Sequence, residues 1–173
     1  YLTEEMMRFH QLLLQENPRT KLLFISNNRH ETIAAAAQRQ GIPADKLLVR
    51  FAQHNDIPAL LKLSDYAIFF IKPCYSKLSS SPTKQAEIMA MGIPIISNYG
   101  VGDVESILQT YHAGWAVADF ETDTLRTLAQ QVARGNHPFK PSQIRQGALE
   151  YFNLATAVEN YADVYRRILA GSE

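Results

Sequence analysis

The residues able to do chemistry concentrate in one stretch, Ser79 to Asp103 (SSSPTKQAEIMAMGIPIISNYGVGD). Ser79, Ser80 and Ser81 lead through Pro82 into a segment where Ala86, Met89 and Ala90 recur at helical spacing until Gly92 stops it. Thr83 and Glu87 are four residues apart and share one helix face, with Lys84 beside them. The first turn of a helix presents unpaired N–H groups and the positive end of the helix dipole, so an oxyanion, above all a phosphate, is well received there. Glu87 lies one turn deeper, where a carboxylate repels phosphate but accepts hydrogen bonds from adjacent sugar hydroxyls. The spacing therefore describes a phosphate with a ribose beyond it. In an arbitrary helix the same residues have plainer work: Ser81 or Thr83 caps the helix, and Glu87 interacts with the helix N-terminus or a surface lysine.

These groups need a scaffold. The chain has 173 residues, 46% hydrophobic and 20% charged, an ordinary composition for a single domain with a buried core. Lys plus Arg number 17 and Asp plus Glu number 17, so no net field draws the domain to nucleic acid or anionic lipid. The single cysteine, Cys74, excludes an internal disulfide and a cysteine-rich metal site, and it fits a reducing compartment. No run approaches the roughly 18 apolar residues needed to span a bilayer, and no basic-then-apolar leader is present. The expectation is a cytoplasmic domain. Because the chain starts in helix-like sequence without a Met, a fragment is also expected.

In chain order, Leu2 to Gln15 reads as a helix with Met6, Phe9, Leu12 and Leu13 on one face, broken by Asn17-Pro18. Strands are expected at Leu22 to Ser26, Leu47 to Ala52, Tyr66 to Ile71, Pro94 to Ser97 and Gly114 to Ala118. Helices are expected at Ile33 to Gln40, from a cap at Asn55 or Asp56 through Leu63, at Thr83 to Met91, Val104 to Thr110 and Asp119 to Gly135, with one or two terminal helices from Ile144 to about residue 171. Alternating strands and helices predict an α/β domain with a Rossmann-like parallel sheet flanked by helices. In such sheets the loops at strand carboxyl ends line the ligand crevice, which makes Asn27 to His30 and the loop Lys72 to Ser81 candidates by position. Lys77 or Lys84 can place a point charge near a diphosphate. Cys74 has no acid–base partner at a catalytic spacing and reads as structural or incidental. Gly100 and Gly102 form a G-x-G pair, but Glu105 stands where a third glycine would complete a dinucleotide fingerprint.

SSSPTKQAEIMAMGIPIISN resembles the C-terminal half of the donor-binding signature of family 4 glycosyltransferases, enzymes of the GT-B fold. Glu87, Met89, Ala90, Gly92 and Pro94 stand in the places of its E-A-M-A-x-G-x-P-V-I motif. The resemblance implies the C-terminal donor half of a GT-B fold, covering residues 1–173. It implies a nucleotide diphosphate sugar as substrate, no cofactor and no metal, with a glycan, lipid or other acceptor on an N-terminal domain outside this sequence. Peripheral membrane association of the full protein is left open. By the same resemblance Glu87 holds the ribose, Ser80, Ser81, Thr83 and Lys84 surround the diphosphate, Phe51 and His54 approach the base, and Gly100 neighbours the phosphates or sugar. The terminal piece YFNLATAVENYADVYRRIL is similar to the helix that returns toward the missing domain in such proteins. One departure stands out: the family's earlier glutamate falls at Ser79, so no carboxylate contact to the transferred sugar is implied. A GT-B-fold nucleotide-sugar epimerase would use much the same helix, and a non-catalytic binding module would retain the fold alone.

Overall fold

The computed structural model describes residues 1–171. Chain order is α1 (Thr3–Glu16), β1 (Leu22–Ile25), α2 (His30–Arg39), β2 (Leu47–Arg50), α3 (Ile57–Leu61), β3 (Ala67–Ile68), α4 (Thr83–Ala90), β4 (Ile95–Asn98), α5 (Val104–Thr110), β5 (Gly114–Val117), α6 (Thr122–Ala133), α7 (Pro141–Tyr151) and α8 (Leu154–Ala170). All strand pairings are parallel, as helical crossovers require. The expected α/β architecture holds, with one difference. The strands fall into two hydrogen-bonded groups, β1 with β2, and β3 with β4 and β5, rather than one continuous sheet.

β4 shows why these segments are strands. All four of its residues are buried, and adjacent side chains enter different cores: Ile95 packs with Met89, Val104, Ile107 and Ile144, whereas Ile96 packs with Phe9, Phe70 and Leu125. An apolar β-branched run suits a strand covered on both faces. A third cluster joins Met7 of α1 to Ile33, Ala36 and Ala37 of α2. Gly92 ends α4 at φ +74°, and a Cβ there would sit 2.8 Å from the carbonyl oxygen of Pro141, so α7 can start directly against the end of α4.

Local departures from the sequence reading have physical causes. α2 starts at His30 rather than Ile33, because Arg29 takes a left-handed conformation (φ +62°) and turns the chain into the helix early. α3 ends at Leu61, and neither Asn55 nor Asp56 caps it with a side chain. β3 pairs over only Ala67 and Ile68, although the Phe69 N–H still donates to the Ile96 carbonyl. α7 begins at Pro141, before Ile144. α8 is capped by Asn153, whose side chain accepts from the N–H groups of Ala155 and Thr156, yet it buries no residue. Among the described residues no helix is long and apolar enough to cross a membrane.

Candidate functional site

The loops following β1, β2, β3 and β4 supply the candidate residues, all at strand carboxyl ends. α4 begins at Thr83 with Pro82 as N-cap and no side-chain capping bond, so neither Ser81 nor Thr83 does the capping that the plainer reading gave them. Its amino end therefore keeps N–H groups that no side chain answers. Ser81 and Thr83 are exposed and Ser80 is half-buried. The Ser80 hydroxyl donates to the Ser76 carbonyl at 3.4 Å.

Glu87 and Lys84 both line an open groove of about 1320 Å³ that also reaches Tyr1, Arg29 and Arg50. The Lys84 ammonium lies 3.7 Å from the centre of the Tyr1 ring, a cation–π contact. On its other side Glu87 meets His54, with Oε1 4.0 Å from Nδ1; the His54 side chain is 83% and that of Glu87 43% exposed. The pair thus joins the turn after β2 to the first turns of α4. Phe51 stands 60% exposed at the end of β2, which removes the alternative that it belongs to the core.

The loop after β4 is packed onto the loop after β3. Gly102 has φ +47°, and a Cβ there would lie 1.8 Å from the carbonyl oxygen of Ser80. Gly100, exposed, would place a Cβ 3.2 Å from Pro73. Asn98 fastens the same junction: its buried amide accepts from the Ile71 N–H at 2.8 Å and donates to the Ile71 carbonyl at 3.0 Å and the Tyr99 carbonyl at 2.8 Å. Cys74 is exposed on this loop, its thiol held below the usual range by a hydrogen bond with Ser76 and by the nearby Lys77.

The groove lining does not contain Ser80, Ser81, Thr83, Phe51, His54 or Gly100. Of these, His54 meets the groove residue Glu87, whereas Ser80 lies against Gly102 and Gly100 against Pro73, outside the lining. Two cations were not singled out in the sequence reading beyond their position: Arg29, whose left-handed backbone is uncommon for a non-glycine residue, and Arg50, the last residue of β2. Arg29 belongs to the loop Asn27 to His30, expected there by position; Arg50 is marked by its place at the carboxyl end of β2. Among the described residues no group of three or more His, Cys, Asp or Glu side chains could hold a metal ion.

No family model matches the chain, and no curated protein matches it. Solved structures do. AviGT4, a glycosyltransferase involved in avilamycin A biosynthesis, has a TM-score of 0.69 at 17% identity, covering 95% of this chain and 47% of that one. Sucrose-phosphate synthase from Thermosynechococcus elongatus has a TM-score of 0.72 at 16% identity, covering 95% of this chain and 42% of its own. The chain has the fold of half a GT-B glycosyltransferase. WaaG, a glycosyltransferase involved in lipopolysaccharide biosynthesis, agrees, with a TM-score of 0.68 at 17% identity over 91% of this chain and 42% of that one. The chain spans less than half the length of each of these GT-B neighbours. The GT-B expectation drawn from the SPTKQAEIMAMGIPIIS motif is thus met at the level of fold.

Proposed function

We propose that this chain is the nucleotide-sugar-binding half of a glycosyltransferase, with the acceptor held by a domain outside the sequence. The observation that carries the reading is the uncapped amino end of α4 set one turn before Glu87, which faces an open groove shared with Lys84. A diphosphate would take the N–H groups of the first turn and the hydroxyls of Ser80, Ser81 and Thr83, with Lys84 as a point charge. Glu87 would accept from the two ribose hydroxyls, and His54, already beside it, would flank the nucleoside together with Phe51. Gly100 belongs to the loop that would pass beside the phosphates or the sugar.

Catalysis on this reading is electrostatic. As the bond from the sugar to the diphosphate breaks, negative charge builds on the leaving phosphate, and donors already oriented toward it stabilise the transition state without reorganising. The residues of this half act on the leaving group, while the attacking hydroxyl comes from the acceptor. No metal is needed for that role.

The test is isothermal titration of the full-length protein with UDP, GDP and ADP, alongside Glu87→Ala. One of the three should bind, and the variant should weaken that binding at least tenfold. Absence of binding by all three would favour a scaffold module instead. Sugar transfer to an acceptor would set a transferase apart from an epimerase.

A further inference from the structure

β5 ends its sheet, with β4 on one side only. The Ile95 and Tyr99 N–H groups donate to the carbonyls of Ala113 and Val117, and the register sets Ile95 opposite Gly114. Residues 113, 115 and 117 therefore exchange bonds with β4, while Gly114, Ala116 and Ala118 turn their N–H and C=O groups away from it. Among the described residues nothing bonds to these outward groups. Beside them runs a groove of about 500 Å³, walled by Asp123, Thr124, Thr127, Leu128 and Gln131 of α6. The edge is also unguarded by sequence. Residues 113–118 read Ala-Gly-Trp-Ala-Val-Ala, without a charge or a proline, whereas β2, another end strand, follows Lys46 and ends in Arg50. Charges, prolines and bulges keep natural sheet edges apart, so an edge without them is one that pairs.

We propose that β5 is a homodimer interface, pairing antiparallel with β5 of a second copy about a twofold axis through Ala116. The outward residues select the register. With Ala116 on the axis it bonds its own counterpart, and Gly114 bonds Ala118 of the second copy, so every open N–H and C=O finds a partner. A slip of two residues would leave Gly114 or Ala118 unmatched. The pairing also sets Trp115 beside Val117 of the second copy on the α6 side, an aromatic ring against a β-branched residue.

α6 fits the same axis. It turns back along β5, and its groove-facing residues centre on Thr127, so the two α6 helices run antiparallel with Thr127 near its counterpart. Asp123 then meets Gln131 of the second copy, four residues to the other side of that centre. Asp123 is the charged residue of this lining, and its mate is an amide that can donate to it. No like charges are opposed there, and the chain's zero net charge adds no repulsion between copies. An unrelated strand would have to bring its own donor for Asp123; a second copy has one already in place.

The joined sheet runs β3, β4, β5, β5, β4, β3. The groove of Glu87 and Lys84 borders β3, on the side away from the joint, so the dimer leaves it open in both copies. The interface does not rest on the glycosyltransferase reading.

The test is sedimentation equilibrium of the full-length protein across a dilution series, with Thr127→Lys, Gln131→Lys and Ala116→Pro beside it. Thr127 and Gln131 are exposed, and the Ala116 N–H makes no bond to β4, so each change suits the monomer. The parent should dimerise. Thr127→Lys places two ammonium groups at the axis and Ala116→Pro deletes its central bonds, so each should weaken the dimer at least tenfold with an unchanged circular dichroism spectrum. Gln131→Lys should tighten it, because Asp123 gains a cation across the interface. Amide exchange at Gly114, Ala116 and Ala118 should be slow in the dimer and fast at dilutions where the protein is a monomer. A parent that stays monomeric at every concentration, or a dimer unmoved by Thr127→Lys, would overturn the proposal. Weakening by Gln131→Lys would overturn the twofold arrangement, and slow exchange of these amides in the monomer would assign the edge to cover from the same chain instead. No nucleotide enters these measurements, so failure of the donor-site reading leaves their outcome untouched.

Discussion

Nδ1 of His54 lies 4.0 Å from Oε1 of Glu87, which brings the turn after β2 against the carboxylate of α4. Both side chains are open to solvent, and an exposed pair of this kind contributes little to folding. Glu87→Ala should therefore leave the melting temperature within about 2 °C of the parent while cutting nucleotide affinity at least tenfold. That fold-change corresponds to about 1.4 kcal/mol, within the range of hydrogen bonds to a charged group. A large drop in melting temperature would make Glu87 structural; unchanged affinity would remove it from the donor site.

Gly102 lets the loop after β4 lie on the loop after β3. Gly102→Ala adds a Cβ that would overlap the Ser80 carbonyl, and the backbone must shift to admit it. Gly41, also left-handed at φ +69°, has nothing within 4 Å of a Cβ, so Gly41→Ala carries only the conformational cost, about 1–2 kcal/mol. Urea denaturation should place Gly102→Ala clearly below Gly41→Ala in stability. In addition, only the Gly102 variant should weaken nucleotide binding, because it moves Ser80.

Asn98 holds both backbone groups of Ile71 from inside the core. Asn98→Ala leaves a buried N–H and a buried C=O without partners and should lower stability by about 2–4 kcal/mol. Faster amide exchange at Ile71 and in residues 72–82 is the local signature to look for. A variant as stable as the parent would mean that water takes over both bonds.

His10 is buried, and desolvation pushes its imidazole below the ordinary value of 6.5, against an opposing hydrogen bond to the Lys46 backbone. Because the folded value is the lower one, the unfolded chain binds the proton first as pH falls. Stability contributed by the neutral ring is complete above about pH 6.5 and declines below it, by at most about 1.4 kcal/mol per pH unit until the folded form also protonates. Chemical denaturation at pH 7.5 and pH 5.5 should show this loss, and His10→Gln should flatten the part of the slope that His10 supplies.

α8 carries Leu154, Val158, Tyr161 and Tyr165 at alternating spacings of four and three residues, all more than half exposed. Replacing Tyr161 and Tyr165 by serine should leave the melting temperature of residues 1–173 nearly unchanged, since the face buries nothing there. Binding of a hydrophobic dye should fall. A marked destabilisation would mean that the helix packs on the domain in solution.

Much of the architecture was written in local pattern. The runs LLFI, LLVR and PIIS are short, apolar and bounded by turn residues, and Val104 to Thr110 forms a helix over the expected span. Gly92 and Pro94 marked the helix-to-strand turn, because glycine takes the left-handed exit without the penalty of a Cβ, and the apolar run that follows is buried. Thr83, Lys84 and Glu87 were legible as a group, since helical spacing alone places them on neighbouring faces.

Periodicity carries no information about long-range partners, and there the tertiary structure decided. It set His54 beside Glu87 rather than leaving it a lone histidine, sent the Lys84 ammonium onto the Tyr1 ring, and exposed Phe51, whose composition fits core and surface equally. It parted the sheet between β1 and β3, which no residue of either strand announces, because a strand's sequence records whether its faces are buried and not which neighbour answers its backbone. Among the described residues it left no side chain of α8 buried, since an amphipathic stripe states only that a face needs covering. Sequence determined which elements form and which polar groups begin α4; packing determined which of those groups meet.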